Sequence, residues 1–170
     1  MRRFKFIRDP LATDIGNNVE EFLRLLHGPT CFFVSGDDDT RCRALVTLLH
    51  GNEPSGAMAL HRWLKSAERP AVALEAPLFS HRMLPRARDL NRCFRPPFED
   101  AQGALAEEIL EILRMHHPEA VVDMHNTSGS GPSFGVCTHM DRQHDALVSI
   151  FTQRLIVSRL DLGALMDISE

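Results

Sequence analysis

The sequence predicts an α/β domain with a mixed, mostly parallel central sheet and helices on both faces. Short apolar runs rich in β-branched and aromatic residues alternate with longer helical stripes, the pattern of strand and helix in turn. The strongest of these runs is continuous rather than alternating, as in strands covered on both faces. At 170 residues the chain has the length of one domain around one core, so a single unit over 1–170 is expected.

Taken in order, NNVEEFLRLLHG (17–28) places apolar side chains at Val19, Phe22, Leu23, Leu25 and Leu26, a helical stripe with Gly28 as its natural stop. TCFFVSG (30–36) reads as a strand, and GDDDTR after it as a polar turn suited to a hairpin tip. ALVTLLH (44–50) is a buried strand, and PSGAMALHRWLKSA (54–67) a helix opening near Pro54 or Ser55. AVALEAP (71–77) is a further strand, followed by an irregular stretch rich in Arg and Pro up to Pro97. EDAQGALAEEILEILRMHH (99–117) is a helix with Leu105, Ile109, Leu110, Ile112 and Leu113 on its core face. AVVDMHNT (120–127) is a strand running into the loop SGSGPS, FGVCTHM (134–140) is another, and DRQHDALVSIFTQRL (141–155) is a helix capped by Asp141.

Hydrophobic content of 44%, charged content of 25% and a net charge of −4 describe an ordinary soluble protein. The arginines between Arg82 and Arg95 are interrupted by prolines and form no basic block, which argues against a nucleic-acid partner. The basic opening MRRFKF is followed by Arg8, Asp9 and Pro10 rather than by the apolar core of a secretory signal. No apolar stretch approaches the roughly 18 residues of a membrane span. Cys31, Cys42, Cys93 and Cys137 are scattered, with no CxxC, and read as free thiols of a reducing compartment. A cytoplasmic protein is expected, with no membrane partner.

In α/β sheets ligands collect beyond the carboxyl ends of the strands, and His50 and His125 each end an apolar strand. Two imidazoles are thereby expected on one rim. A catalytic zinc takes three protein ligands, often two His and one carboxylate, and keeps a position open. His50, Glu53 and His125 offer that set, with HxxE folding two ligands across a strand-to-helix turn. The competing reading has Glu53 solvated and His125 as a hydrogen-bonded loop histidine. Asp123, two residues before His125, shares its face in a regular strand and can hold the imidazole by a hydrogen bond. His61 inside a helix, His116 and His117 at a helix end, and His139 and His144 beside a turn are not read as ligands.

HGNEPSG, DLNRCF and DMHNTSGSG, in that order over residues 50 to 131, resemble the aspartoacylase/succinylglutamate desuccinylase family, zinc-dependent deacylases of the zinc carboxypeptidase-like clan. The resemblance implies one zinc per chain, held by His50, Glu53 and His125. It implies that Asn91 and Arg92 line the substrate pocket and grip a carboxylate, which suits the planar fork of Arg. An arginine upstream of DLNR polarises the scissile carbonyl in the family. Arg82, Arg86 and Arg88 compete for that place, and Arg82 is favoured. Asn126 is expected to help shape the pocket. The implied reaction is metal-assisted hydrolysis of an N-acyl amide, or of an ester, on a small, carboxylate-bearing substrate.

Two departures from the family pattern stand out. After DLNRCF the family commonly continues with Pro-Gly, where this chain has RPPFED. The family's general base is a glutamate in a strand motif well downstream of the second histidine. LGALMDISE, which ends at Glu170, holds no such motif, so the chain reads as truncated at its C-terminus. Glu75, at a strand end, is the internal carboxylate considered in its place. A sheet missing its later strands presents an open edge and favours pairing with a second copy. Two further readings stand beside the deacylase: a zinc carboxypeptidase-like peptidase, and a non-catalytic zinc- or carboxylate-binding module.

Overall fold

The computed structural model describes residues 4–66, 72–78, 88–127 and 129–168, with backbone alone over 72–78. It is a mixed α/β structure. A five-stranded sheet runs in the order β1 (Lys5–Arg8), β2 (Thr30–Val34), β4 (Val72–Leu78), β3 (Asp38–Thr47), β5 (Val121–Met124). The pairs β1–β2, β3–β4 and β3–β5 are parallel, and β2–β4 is antiparallel. The helices are α1 (Ala12–Ile15), α2 (Val19–Leu26), α3 (Ser55–Lys65), α4 (Ala101–His116) and α5 (Arg142–Ser149). A separate parallel pair, β6 (Gly135–Cys137) and β7 (Leu155–Val157), lies towards the end of the chain. Among the described residues no helix is long and apolar enough to cross a membrane.

The helix ends obey local chemistry. Asn18 caps α2 by accepting from the Glu21 amide at 2.9 Å, and Asp100 caps α4 by accepting from the Gly103 amide at 2.7 Å. α2 buries Phe22 and Leu26, and the Phe22 ring stacks on Phe32 of β2 at 5.6 Å. From α4, Ala106, Ile109, Leu110 and Ile112 enter the same core, with Leu105 and Leu113 packed at its margin. α2 stops one residue earlier than its sequence suggests: His27, not Gly28, takes the left-handed conformation, at φ 56°.

Three sequence expectations are corrected. GDDDTR is no hairpin tip: β2 and β3 are not neighbours but lie on either side of β4, and β3 begins within that polar segment at Asp38. β3 also ends at Thr47 rather than His50, because Leu48 turns into the left-handed region at φ 57°. That conformation is unfavourable for a residue bearing a Cβ. Leu48 and Leu49 are both buried, so core packing holds the bend. The helix expected over 141–155 breaks at Ser149, since no residue of α5 is buried to extend it, and Leu155 begins β7 instead.

One close approach positions the site. A Cβ on Gly56, in the first turn of α3, would stand 2.9 Å from Met124 Cβ and 3.0 Å from Thr47 Cγ2. The absence of a side chain there lets α3 lie directly against the ends of β3 and β5.

A candidate metal centre at the strand rim

β3 and β5 are parallel and in register from Ala44↔Val121 to Thr47↔Met124, so both finish on one rim. His125 is the first residue past β5. His50 lies three past β3, brought back by the bend at Leu48 and a turn in which the Glu53 amide donates to His50 O at 3.0 Å. His50 and Glu53 are each 6% exposed, unusual burial for a carboxylate without a compensating charge. The imidazole rings of His50 and His125 meet edge to face at 4.9 Å.

Glu53 stands between the two rings. Its Oε1 is 3.0 Å from His50 Nδ1, and its Oε2 is 2.8 Å from His125 Nδ1. The far nitrogen of each ring meets another carboxylate: His50 Nε2 lies 2.7 Å from Asp89 Oδ1, and His125 Nε2 lies 2.7 Å from Asp123 Oδ2. In the neutral imidazole one nitrogen donates and the other accepts. Each neutral ring therefore has one N–H for the two carboxylates that face it, and the remaining contact needs a further proton or a cation.

The ionisation tendencies agree. Burial pushes the Glu53 carboxyl up, but the Asn126 amide, donating at 3.0 Å, and the His125 ring outweigh it and leave it below its ordinary value. Asp89 behaves alike: burial raises it, and the His50 ring with the Asn91 amide brings it below the usual carboxylate range. Burial alone would lower His125, yet Asp123 and Glu53 lift it above 6.5. Asp123 is raised by its burial, in spite of its bond to His125.

The donor set can hold a metal ion. One atom each from His50, Glu53 and His125 lies within 4.8 Å of the others. Ligands about 2.1 Å from a common tetrahedral ion stand about 3.4 Å apart, within that limit. A carboxylate behind each liganding imidazole is the arrangement that fixes ring orientation and raises ligand basicity.

The other sequence-derived residues separate clearly. Asn91 reaches the centre: its Nδ2 lies 3.1 Å from His125 Nε2, and its Oδ1 accepts from the Leu165 amide at 3.0 Å. Arg92, next on the same 3₁₀ turn (Leu90–Arg92), is exposed and makes no ion pair among the described residues. Asn126 contributes its backbone to Glu53, while its side-chain oxygen accepts from Ser55 Oγ at 2.8 Å and so ties β5 to α3. Arg88 is committed elsewhere, to Asp100 at 2.6 and 2.8 Å and to Pro97 O at 2.7 Å. Arg82 and Arg86 lie outside the described residues, as do Glu170 and the side chain of Glu75. Asp89 was not singled out from the sequence, although it opens the DLNR motif and its carboxylate was the available signal.

Comparison with protein-family models, curated proteins and solved structures gives no significant match. Of the remaining histidines, His61 packs its ring 5.2 Å from Phe22, and His116 lies 5.4 Å from Phe33. Burial, with Arg8 adding to it, lowers His116 below its ordinary value.

Proposed function

We propose that the chain is a zinc-dependent hydrolase of N-acyl amides, acting on a small carboxylate-bearing substrate in the manner of aspartoacylase and succinylglutamate desuccinylase, on a zinc carboxypeptidase-like fold. The observation that carries this reading is the pair of imidazoles directed by their Nδ1 atoms at one buried carboxylate, each backed by a second carboxylate. His50, Glu53 and His125 would hold the ion, which supplies a Lewis acid and an acidified water. With the ion bound, Asp89 and Asp123 would accept from the Nε2–H groups and hold the rings in the tautomer that leaves Nδ1 to the metal. The Asn126 amide and Ser55 hold the turn carrying Glu53 against β5. Arg92, which makes no ion pair among the described residues and gives one guanidinium N–H to Asn91 O, offers a two-pronged donor for a substrate carboxylate. The four buried cysteines agree with a reducing, cytoplasmic setting.

A second reading, a zinc- or carboxylate-binding module without turnover, draws on one feature. Among the described residues, Glu53, Asp89 and Asp123 are each engaged with an imidazole, leaving none of the three free to take a proton from water. General base catalysis is worth about 10²- to 10⁴-fold.

Zinc per chain, measured by elemental analysis on the intact protein and on His125→Ala, tests the metal assignment. About one equivalent lost in the variant is expected, and undiminished zinc would overturn it. A panel of N-acyl amino acids and short peptides then separates the activities. Amide cleavage dependent on zinc and Arg92 supports the deacylase, preferential peptide cleavage a carboxypeptidase-like enzyme, and binding without cleavage the module.

A further inference from the structure

A second cluster of nitrogen and oxygen donors lies away from the strand rim, in the connection from β6 to α5. The segment THMDRQH has the spacing His-x-Asp-x-x-His, with His139 in the loop, Asp141 as the helix cap and His144 in the first turn of α5. Asp141 Oδ1 accepts from the amides of Gln143 and His144, both at 2.8 Å, which locks the carboxylate over the helix start. Its Oδ2 stands 3.3 Å from His139 Nε2, and its Oδ1 3.0 Å from His144 Nδ1. The two rings meet edge to face at 4.5 Å.

The geometry points to a second, solvent-open metal site at His139, Asp141 and His144, taking a first-row divalent ion of the zinc or nickel type. One atom from each residue lies within 4.8 Å of the others, as at the rim. His144 Nδ1 adds an independent sign. It is shielded from solvent and, among the described residues, makes no hydrogen bond of acceptable geometry, although a carboxylate oxygen is 3.0 Å away. A nitrogen shielded from water and misaligned for a hydrogen bond has its lone pair available to an ion. His139 Nδ1 is 3.2 Å from the Thr138 hydroxyl, leaving Nε2 as the nitrogen that faces the cluster. Imidazole with one carboxylate selects zinc, nickel, copper or cobalt over calcium and magnesium, which prefer all-oxygen sites.

Exposure sets this site apart from the first. The side chains of His139, Asp141 and His144 are 61%, 41% and 36% accessible, and no carboxylate backs either ring among the described contacts. Weaker, exchangeable binding follows, with the ion clipping the loop to a helix that has no buried residue.

The test is a titration of the intact chain with zinc alone, followed by calorimetry and by long-range ¹H–¹⁵N correlation of the histidine rings, with circular dichroism as a check on folding. Two equivalents are expected, the weaker one shifting the His139 and His144 ring resonances. His144→Ala and, separately, His139→Ala should each lose the weaker equivalent and keep the tighter. His125→Ala should do the reverse, so failure of one site is distinguishable from failure of the other. Unmoved His139 and His144 resonances, an unchanged stoichiometry in both cluster variants, or a response only at millimolar zinc would each overturn the site.

Discussion

Asp89→Asn removes one negative charge behind His50 and almost nothing else. The Asn side chain keeps an oxygen where Asp89 Oδ1 now caps the 3₁₀ turn by accepting from the Asn91 amide at 2.9 Å. The same oxygen can still accept from His50 Nε2, now 2.7 Å away. What disappears is the charge that makes this a charge-assisted bond, and the contact is sheltered: His50 and Asp89 side chains are 8% and 22% accessible. Loss of such a partner typically weakens metal affinity by about 10- to 100-fold, which corresponds to about 1.4 to 2.7 kcal/mol. The assay is competition for zinc against a chromophoric chelator at fixed pH, with thermal melts of the metal-free protein alongside. Glu20→Gln serves as control, since that carboxylate lies in an exposed i,i+4 pair with Arg24. A zinc affinity for Asp89→Asn indistinguishable from the control would refute the reasoning, for then Asp89 only caps the turn.

Four further outcomes follow from the same geometry. His125 has a folded-state pKa above 6.5, so in the metal-free chain its contribution to stability is complete below 6.5 and is lost as pH rises through the elevated value. The metal-free melting temperature should therefore fall between pH 6 and pH 8, roughly the window set by that shift, and His125→Ala should flatten the decline; an unchanged slope in the variant would discard the idea. Zinc affinity should run the opposite way, weakening by about tenfold per pH unit for each proton displaced as pH drops below the His125 value, which chelator competition across pH reads directly. Arg92→Lys should leave zinc content intact while raising KM about 10-fold or more for carboxylate-bearing substrates, since an ammonium cannot replace the bidentate fork; equal KM values would remove Arg92 from the pocket. Gly56→Ala should destabilise the fold by about 1–3 kcal/mol in urea unfolding and loosen zinc as well, because α3 must retreat from Met124 and Thr47; a neutral effect on both would show that the contact yields.

The sequence placed both histidines near one rim because the apolar runs that finish at Thr47 and Met124 are visible in it and parallel pairing sets those ends together, although β3 stops three residues before His50. α4 was equally clear, since its apolar stripe runs from Leu105 to Leu113 and Asp100 marks its start. What escaped was decided by contacts distant in sequence. Nothing near Leu48 announces a left-handed residue: the core holds Leu48 and Leu49 and so forces the bend that delivers His50 to Glu53. Asp89 gained its place only when the 3₁₀ turn was set against the rim, 39 positions from the histidine it holds. The β6–α5 connection shows the same limit from the other side. A capping aspartate between two histidines reads locally as a turn, and the local reading of Asp141 as a cap is correct. Capping and ligation do not compete there, because the amides of Gln143 and His144 use one carboxylate oxygen and leave the other towards His139. A residue whose local role is satisfied can still carry a second one, and only the positions of the neighbouring side chains reveal it.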